Sequence, residues 1–481
     1  MEGSTRDDMR EGLREHRREA LCLDVRALAL GRVGLALLVI ADLWARSADV
    51  TAQYSDAGWL PRAAVTPSRF WGFRIYSLSG DPDFVAAMMV TTAVVAALFA
   101  VGWRTRIVNL LLWLLVGSLH ARNGPVLQGG DKLLLNFLFW FLFLPIGSCW
   151  SLDARRRREP APQRVHGAPA VAIYVQLFLV YAVTGSLKLK QAHWLSGEGV
   201  YHALSADFFV TSFGRALYPH WHLLQVLSWS TMLLEIGGAV ALLLAPPSPR
   251  LRTGLVAAFV LFHVGVGLSL QLGLFSMVCI ACWLVVLPSW ALDRVTRAAP
   301  RPSLGLAATP WLSRLAGLAI AYMAVATAVV DLAPPVPLRD AVAYPMRVLR
   351  LQDRWALFIG PRKTTGWMVV EARYPNGVRV DLLRGGTPVS YERPESVLDI
   401  FPNQRWRKVI TNLRKAGHHQ DLMRYLSWQC RQVDAVAVRF IYVRHRVGKR
   451  YDHGPAEKVV VAEQRCRPED GMARTPPSEP S

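Results

Sequence analysis

The chain has 481 residues, and 52% of them are hydrophobic. It carries 55 lysines and arginines against 35 aspartates and glutamates, and the resulting formal net charge of +20 is typical of proteins that bind nucleic acid or membranes. The apolar residues form long blocks, so the composition favours an integral membrane protein and argues against a nucleic-acid partner or a soluble globular fold.

The N-terminal segment mixes acidic and basic residues ahead of the first apolar block, which is not the composition of a secretory signal peptide. We interpret residues 1–25 as an amphipathic segment that lies on the cytoplasmic face of the membrane. The anionic lipids of that face account for much of the basic charge of the chain.

Nine apolar segments follow, and each approaches the roughly 20 residues that a membrane-spanning helix needs. They lie near residues 27–45, 83–103, 107–122, 133–150, 168–187, 221–245, 253–271, 273–289 and 310–331. Ser118 and His120 interrupt the third segment, and little separates the seventh from the eighth. We therefore expect an all-α polytopic bundle of about nine transmembrane helices over residues 26–332, with the lipid bilayer as its partner.

The distribution of basic residues predicts the orientation. Lysines and arginines are about twice as frequent in one set of alternating loops as in the other, and the richer set is normally cytoplasmic. The richer set contains the N-terminal segment and residues 104–106, so we expect a cytoplasmic N-terminus. Nine crossings then place the chain after residue 332 on the extracytoplasmic side.

The composition changes to that of a soluble domain after residue 332, and residues 333–466 are expected to form a small α+β domain. The turn Pro375-Asn376-Gly377 predicts a hairpin between two strands. Residues 403–430 have the apolar spacing of one or two amphipathic helices, and two more alternating strands follow. We expect residues 467–481 to be disordered.

Two pairs of cysteines invite opposite interpretations. Cys430 and Cys466 both fall in the extracytoplasmic domain, where a disulfide can persist, although sequence alone does not supply the geometry of the pair. Cys279 and Cys282 form a C-x-x-C motif inside an apolar segment. A redox motif normally needs solvent access, so small residues for helix packing are the preferred interpretation.

Ionisable residues inside a span are costly and are therefore candidates for function. Glu235 lies well inside an apolar segment, where it either has a function or pairs with an intramembrane arginine such as Arg32. His263 either hydrogen-bonds to a neighbouring helix or takes part in catalysis. Asp42 and Arg46 are four residues apart, and we expect them to pair with each other or with lipid headgroups.

The stretch HARNGPVLQGGDKLLLN places Arg122, Asn123 and Asp131 between two apolar segments. A carboxylate at Asp131 is suited to cap the helix that follows it. The predicted topology puts this loop on the same side as two other polar loops, at residues 52–67 and 180–204. Three polar loops at one end of a helix bundle would form an entrance or a binding site.

Several motifs in this order resemble one known family. They are YSDAGWLP, ARNGPVLQGGDKLL, FLPIGSCWSLDA, VYAVTGSLKLKQAHW with GEGVYHAL, and FHVGVGLSLQLGLFSM. Together they resemble the HTTM (horizontally transferred transmembrane) domain family, the bacterial relatives of vitamin K-dependent γ-glutamyl carboxylase, over roughly residues 25–300. The later motifs DRWALFIGP and RWRKV are similar to segments that follow this domain in bacterial members. The resemblance implies nine helices, a cytoplasmic N-terminus and the inner (cell) membrane of a bacterium.

In the carboxylase, a lysine at the end of the fifth span acts as a base toward vitamin K hydroquinone and precedes a leucine and a tryptophan. The resemblance therefore implies Lys188 as a catalytic base, with Trp194 after it. Lys190 is the alternative, because the interval before the tryptophan has one extra residue. Desolvation favours the neutral amine that a lysine base requires. From composition alone, these lysines are a positive fringe at the end of a helix.

The resemblance further implies a reduced isoprenoid quinone (vitamin K or menaquinol) as cofactor, oxygen and carbon dioxide as co-substrates, and a peptide or protein as a possible substrate; no metal is expected. Asp131 stands where the carboxylase has a catalytic histidine, so the resemblance implies Asp131 as a second catalytic residue beside Lys188. An aspartate does not hold a proton near neutral pH as imidazole does, so its role would differ from that of the histidine. The implied chemistry is thus quinol-dependent and oxygen-coupled, of the epoxidase or γ-carboxylase (lyase) type. The residues expected around the quinone are Arg122, Asn123, Lys190, Trp194, Tyr201, Glu235 and His263.

A second hypothesis remains beside the enzyme. The chain could be a non-catalytic membrane component of peptide-toxin maturation or export, which some HTTM members resemble. Its outer loops would then bind or pass a peptide, and Lys188 would contribute only charge.

Overall fold

The computed structural model describes residues 21–65, 73–157, 163–244, 248–296, 305–307, 309–332, 339–349, 351, 355–448, 451 and 453–466. Most of the predicted amphipathic segment, residues 1–25, lies outside the described residues. The tail predicted to be disordered, residues 467–481, lies outside them entirely.

Ten helices form the bundle in the part of the chain that the structure describes. They are α1 (Val25–Ser47), α2 (Pro82–Val101), α3 (Thr105–Arg122), α4 (Gly129–Phe141), α5 (Ala168–Leu189), α6 (Trp221–Leu244), α7 (Pro249–Ser269), α8 (Phe275–Leu284), α9 (Ser289–Thr296) and α10 (Pro310–Thr327). Local sequence determines several of the helix starts. Asp24, Asp81 and Ser248 accept backbone N–H groups at the starts of α1, α2 and α7, where proline follows the latter two.

Six of the described helices are long and apolar enough to cross a membrane: α1, α2, α5, α6, α7 and α10. The pair α8 and α9 would be a seventh span if counted as one, although the two are bent by 96°. The expected nine spans are therefore not confirmed. The third predicted segment, α3, buries the polar residues Asn109, Ser118 and His120, and the fourth, α4, has only 13 residues.

Three short segments that the sequence analysis places on the cytoplasmic side meet at the end of the bundle where α1 begins. We call this end the N-terminal end. There β1 (Leu23–Asp24) pairs with β2 (Arg164–His166), and β2 pairs with β3 (Gly305–Ala307). Arg26 also forms an ion pair with Asp293, at 2.7 Å. At the opposite end, the residues that follow α1, α3 and α7 contact the C-terminal part of the chain.

The C-terminal module, residues 355–466, contains the predicted sheet region. Its strands β4 (Thr364–Arg373), β5 (Arg379–Asp381), β6 (Thr387–Pro388), β7 (Ala437–Arg446) and β8 (Glu457–Arg465) are antiparallel in the order β6-β5-β4-β7-β8. The hairpin at Asn376-Gly377 is confirmed, because the N–H of Gly377 donates to the carbonyl of Tyr374 at 3.0 Å. Helix α13 (His419–Gln432) packs against β7 and β8, and helix α12 (Gln404–Leu413) packs against α13; α11 (Arg339–Val348) precedes the module.

A disulfide joins Cys430 at the end of α13 to Cys466 after β8. It closes the edge of the module by tying a helix to the last described residue. Cys279 and Cys282 are buried and free on α8, where they pack within the core of the bundle.

Candidate functional site

Lys188 lies in the last turn of α5, and its side chain is buried against Glu235 of α6. Its Nζ donates to Glu235 Oε1 at 2.6 Å and to Oε2 at 2.8 Å, and both residues are at most 4% exposed. The ring of Trp194 faces the same ammonium, 4.4 Å from Nζ to the ring centroid. Lys188 therefore has a carboxylate and an aromatic face as its immediate surroundings, rather than lipid headgroups.

The local backbone brings the two helices close enough for this contact. Glu235 lies in a π-helical turn of α6, Leu234–Gly238, and such turns occur often at functional sites. Opposite it, Gly185 leaves room for the neighbouring helix, because a Cβ atom there would be 2.5 Å from Cγ1 of Ile236. A glycine one turn before Lys188 thus allows α6 to approach α5.

The expected partnership of Glu235 with Arg32 is wrong. Arg32 donates instead to the backbone carbonyls of Ile146, Cys149 and Trp150, at 2.6, 3.2 and 2.5 Å. These carbonyls follow the short helix α4, where the chain turns without completing a helix. The guanidinium satisfies acceptors that a longer helix would have satisfied internally.

The two candidate lysines have different environments, since Lys190 is exposed and Lys188 is buried. Trp194 lies on the short helix Ala192–Leu195, and its Nε1 donates to the carbonyl of Phe358 at 3.0 Å. Thr184, one turn before Lys188, donates to the carbonyl of Trp355 at 2.8 Å. Residues 355–358 of the C-terminal module therefore lie against the C-terminal end of α5.

Tyr201 follows in the helix Gly199–Leu204 and contacts the module through its hydroxyl, which donates to the carbonyl of Gly448. Its ring also lies 4.5 Å from that of Tyr451. Tyr201 thus anchors the module to the loop after α5. Within the described part of the chain, Tyr201 makes no hydrogen bond or ring contact with Lys188.

A second buried group, the interface ion cluster, consists of Asp42, Arg46, Tyr54, Asp131 and Arg405. Arg46 pairs with Asp42 at 2.7 Å, as expected for residues four apart, and with Asp131 at 3.0 Å. Arg405 of α12 donates to both oxygens of Asp131, at 2.6 and 2.7 Å, and also contacts Asp42. Two carboxylates and two guanidiniums therefore neutralise one another where the module meets the bundle.

Asp131 also caps α4 as predicted, because its Oδ2 accepts the N–H of Gln128 at 2.6 Å. A cavity beside it, lined by His120 and Phe275, has a volume of about 30 Å³, which is room for a single water molecule. Asp131 thus faces no ligand-sized space in this cavity. Its contacts are those of a structural ion pair.

Potential metal ligands also occur in this cluster. One ligand atom each from Asp42, His120 and Asp131 lie within 4.8 Å of one another. The guanidinium of Arg405 contacts both carboxylates, so these two potential ligands already have a cationic partner.

Arg122 and Asn123 hold the loop that follows α1. Arg122 donates to the carbonyls of Leu60 and Ser55 at 2.8 and 3.1 Å, and Asn123 donates to the carbonyl of Gln53 at 2.8 Å. All of these contacts are to backbone. Two of the three polar loops expected to converge are thus joined directly, whereas the lysine loop contacts the C-terminal module.

His263 lies on α7 and hydrogen-bonds to a neighbouring helix, one of the two roles expected for it. Its Nε2 is 2.6 Å from the hydroxyl of Tyr181, which also accepts from Nε1 of Trp283 at 2.8 Å. Nδ1 of His263 is buried without a hydrogen-bond partner among the described residues. Tyr181 precedes Lys188 by seven residues on α5, so the two side chains leave the helix on the same face.

Two residues of this region were not anticipated from sequence. In the sequence, Tyr181 is one aromatic residue in an apolar helix. Only its spacing of seven residues from Lys188 could have indicated that the two side chains share a face of α5. Arg405 belongs to the motif RWRKV, which is similar to a segment of bacterial family members but to which the resemblance assigns no role. The high density of basic residues on a predicted amphipathic helix is the one sequence feature that could have indicated a charged contact at Arg405.

Burial shifts the pKa of two basic side chains that lie outside the spans, where the module meets the bundle. Burial lowers the pKa of Lys408 on α12 to about 8, and the nearby Lys415 and Lys132 lower it further. Burial likewise lowers the pKa of His202 to about 4, with help from His193 and Arg362. Both groups are thus biased toward their neutral forms.

Comparison with known proteins agrees with this architecture. A model of the HTTM domain matches residues 22–290, more than half of the chain. The sporulation-delaying protein SdpB of Bacillus subtilis (strain 168) is 22% identical over 187 residues, which are 38% of this chain and 55% of that protein. The chain therefore spans about half the length of this relative. No solved structure matches the chain. With this match over most of its helical part, the chain belongs to the HTTM domain family.

Proposed function

We propose that this protein is an integral-membrane enzyme in which the Lys188–Glu235 pair accepts a proton from a reduced isoprenoid quinone. The observation that carries the proposal is the burial of Lys188 between a carboxylate and the face of Trp194. Intramembrane ionisable groups are costly, and such a pair is a functional candidate by default. Membership of the carboxylase-related HTTM family supports the same assignment.

The pair is suited to moving a proton. A neutral Nζ on Lys188 accepts a proton from an acidic hydroxyl and becomes an ammonium. Both carboxylate oxygens of Glu235 lie within 2.8 Å, so the charge formed on Nζ is stabilised where it forms. The ammonium then gives this proton to the oxygen atom that leaves as water, so Nζ is neutral again for the next turnover while the carboxylate of Glu235 stays ionised.

The residues fit a quinol by their chemistry, since an apolar ring with an acidic hydroxyl needs a base beside aromatic and aliphatic walls. When bound, a reduced quinone supplies four electrons to oxygen, so that one oxygen atom stays in the quinone epoxide and the other leaves as water. Trp194 would position the ring, and residues 355–358 would exclude water from the outer side. Carbon dioxide and a peptide would be further substrates if the epoxidation drives carboxylation.

Asp131 has no proton-transfer step in this proposal. Its carboxylate is held by Arg46, Arg405 and the N–H of Gln128. Arg122 and Asn123 shape the outer loops, and His263 supports α5 through Tyr181. A catalytic role for Asp131 in place of the histidine of the carboxylase stays a prediction.

We also propose nine crossings, with a cytoplasmic N-terminus and an extracytoplasmic module. The alternation of contacts supports this: segments before α1, after α4 and beside α9 meet at the N-terminal end. Segments after α1, α3, α5 and α7 contact the module at the opposite end. The short helices α3, α4 and α8 would then cross with the help of buried polar partners.

The test uses the full chain in nanodiscs containing menaquinol under oxygen, with quinone epoxide measured by chromatography. Wild type and Lys190→Ala should form epoxide, and Lys188→Met with Glu235→Leu should lose it while unfolding at a similar temperature, because this double variant leaves no buried charge unpaired. The exposed Lys190 is a matched control two residues away. Equal rates in all three proteins would refute the assigned base, and a wild type that binds menaquinol without forming epoxide would refute the reaction.

One observation favours a second function, a non-catalytic role in peptide-toxin maturation or export. The relative that matches the chain is named for delaying sporulation, and the match covers 38% of this chain. In that role Lys188 contributes only positive charge to the pair with Glu235. Lys188→Arg would then retain function, whereas an enzyme that needs a neutral amine would lose it.

A further inference from the structure

A cavity of about 620 Å³ opens at the N-terminal end of the bundle, far in the fold from the lysine pair. It is lined by the start of α3 and the loop after α4, and three arginines contribute to it: Arg104, Arg106 and Arg157. Asp153 is the single acidic residue in the lining. A cavity of this size and charge is large enough for a headgroup rather than a single ion.

The carboxylate of Asp153 is already engaged by the start of α3. It accepts the N–H of Arg104 at 2.9 Å, and the N–H and hydroxyl of Thr105 at 2.7 and 2.5 Å. No described carboxylate pairs with the guanidinium of Arg106 or Arg157, and both side chains are exposed. The cavity therefore keeps an excess of positive charge.

A buried polar atom lies in the same cavity wall. Ser148 is only 2% exposed, and its hydroxyl has no hydrogen-bond partner within the described part of the chain. An unpartnered hydroxyl costs free energy unless a ligand or water completes it. The hydroxyl oxygen itself exposes almost no surface, so a phosphate oxygen accepts a hydrogen bond from it once the cavity wall moves to admit the headgroup.

An apolar surface continues from the cavity along α3. Ile107 lines the cavity, and Leu110 and Leu111 follow one turn later on the same helix face, all three exposed on the described bundle. A free phosphate ion would make no use of this surface, whereas acyl chains would cover it. Charge and apolar surface together indicate an amphiphilic anion.

We propose that this cavity binds the headgroup phosphate of an anionic phospholipid, whose acyl chains lie along Ile107, Leu110 and Leu111. Arg106 and Arg157 neutralise the phosphate, and Ser148 donates a hydrogen bond to it. Basic pockets between transmembrane helices bind anionic headgroups by the same chemistry. The site is independent of the reaction proposed for Lys188.

The test measures phosphatidylglycerol binding to the purified full chain in detergent by native mass spectrometry and by thermal shift. Phosphatidylcholine with the same acyl chains and inorganic phosphate serve as comparison ligands. Wild type should bind phosphatidylglycerol preferentially, and Arg106→Gln with Arg157→Gln should weaken binding by about fivefold per arginine removed. Arg250→Gln is the matched control, because Arg250 is exposed at the start of α7 and does not line the cavity.

Each outcome decides the proposal. A selective loss in the double variant, with an unchanged melting temperature in the absence of lipid, supports it. Equal weakening by Arg250→Gln would indicate general surface charge and overturn it. The same thermal shift from inorganic phosphate, or equal binding of both lipids by wild type, would overturn the assignment of an anionic lipid.

Discussion

Arg405 donates to both carboxylate oxygens of Asp131, at 2.6 and 2.7 Å, although 274 positions separate them in the sequence. The contact joins the C-terminal module to the first turn of α4, and the same guanidinium contacts Asp42 on α1. The two buried carboxylates need two positive charges to neutralise them. The bundle supplies Arg46, and the module supplies the second charge through Arg405.

Replacing Arg405 by alanine should lower the free energy of unfolding by about 3–5 kcal/mol, because two buried carboxylates would share only Arg46. Arg405→Lys should recover part of this loss, since lysine carries the charge without the planar two-point contact. Thermal unfolding in detergent measures both effects. Arg424→Ala, which removes a half-exposed pair with Asp421, should cost no more than about 1 kcal/mol. Similar losses in the Arg405→Ala and Arg424→Ala proteins would contradict a structural role for the cluster.

Breaking the pair between Lys188 and Glu235 should cost more stability than removing it whole. Glu235→Ala leaves a buried ammonium and should destabilise by about 3–5 kcal/mol, whereas Lys188→Met with Glu235→Leu should be near neutral. Unfolding temperatures of the two single variants and the double variant complete the cycle. Additive losses would mean that the two side chains do not interact as described.

Gly185→Ala should separate α5 from α6, because the new Cβ would lie 2.5 Å from Cγ1 of Ile236. We expect a destabilisation of about 1–3 kcal/mol, typical of overpacking. Gly254→Ala on α7 is the matched control: nothing lies within 4 Å of a Cβ there, so the substitution should be neutral or slightly stabilising. The comparison uses unfolding temperatures at one pH, and equal responses would argue against close approach at Gly185.

The unfolding temperature of the protein should fall as the pH drops from about 6.5 to 4, because of His202 in the loop region after α5. Burial lowers the pKa of His202 to about 4 in the folded protein, below the value near 6.5 expected when unfolded. Between these values the unfolded chain binds a proton that the folded chain does not, so acid favours unfolding. His202→Gln should flatten this part of the pH profile of the unfolding temperature. An identical profile in the variant would assign the acid sensitivity to other groups.

Sequence patterns predict the contacts that are local in the chain. The hairpin at Asn376-Gly377, the pair between Asp42 and Arg46, and the cap at Asp131 each involve residues at most four apart, and the structure confirms them. In each case the spacing itself specifies the geometry. Helix periodicity likewise located α12 and α13, since an amphipathic face repeats every three or four residues.

Pairings across long separations were not predictable in the same way. Lys188 and Glu235 are 47 residues apart on different helices, and many polar partners within the bundle are compatible with either. The wrong expectation for Arg32 shows this, because backbone carbonyls at the end of a short helix compete with carboxylates for an arginine. Helix length also depended on tertiary contacts, as α4 ends after 13 residues within a longer apolar segment.

The position of Arg405 has a consequence for the order in which the protein is made. A ribosome synthesises Asp42 and Asp131 hundreds of residues before Arg405, and domains generally fold from the N-terminus during synthesis. The nascent bundle must hold both acids with Arg46 as their guanidinium partner until α12 emerges. The ion cluster is therefore completed by a segment that is translated long after the bundle helices α1 and α4, and a chain truncated before residue 405 leaves Asp42 and Asp131 with one guanidinium between them.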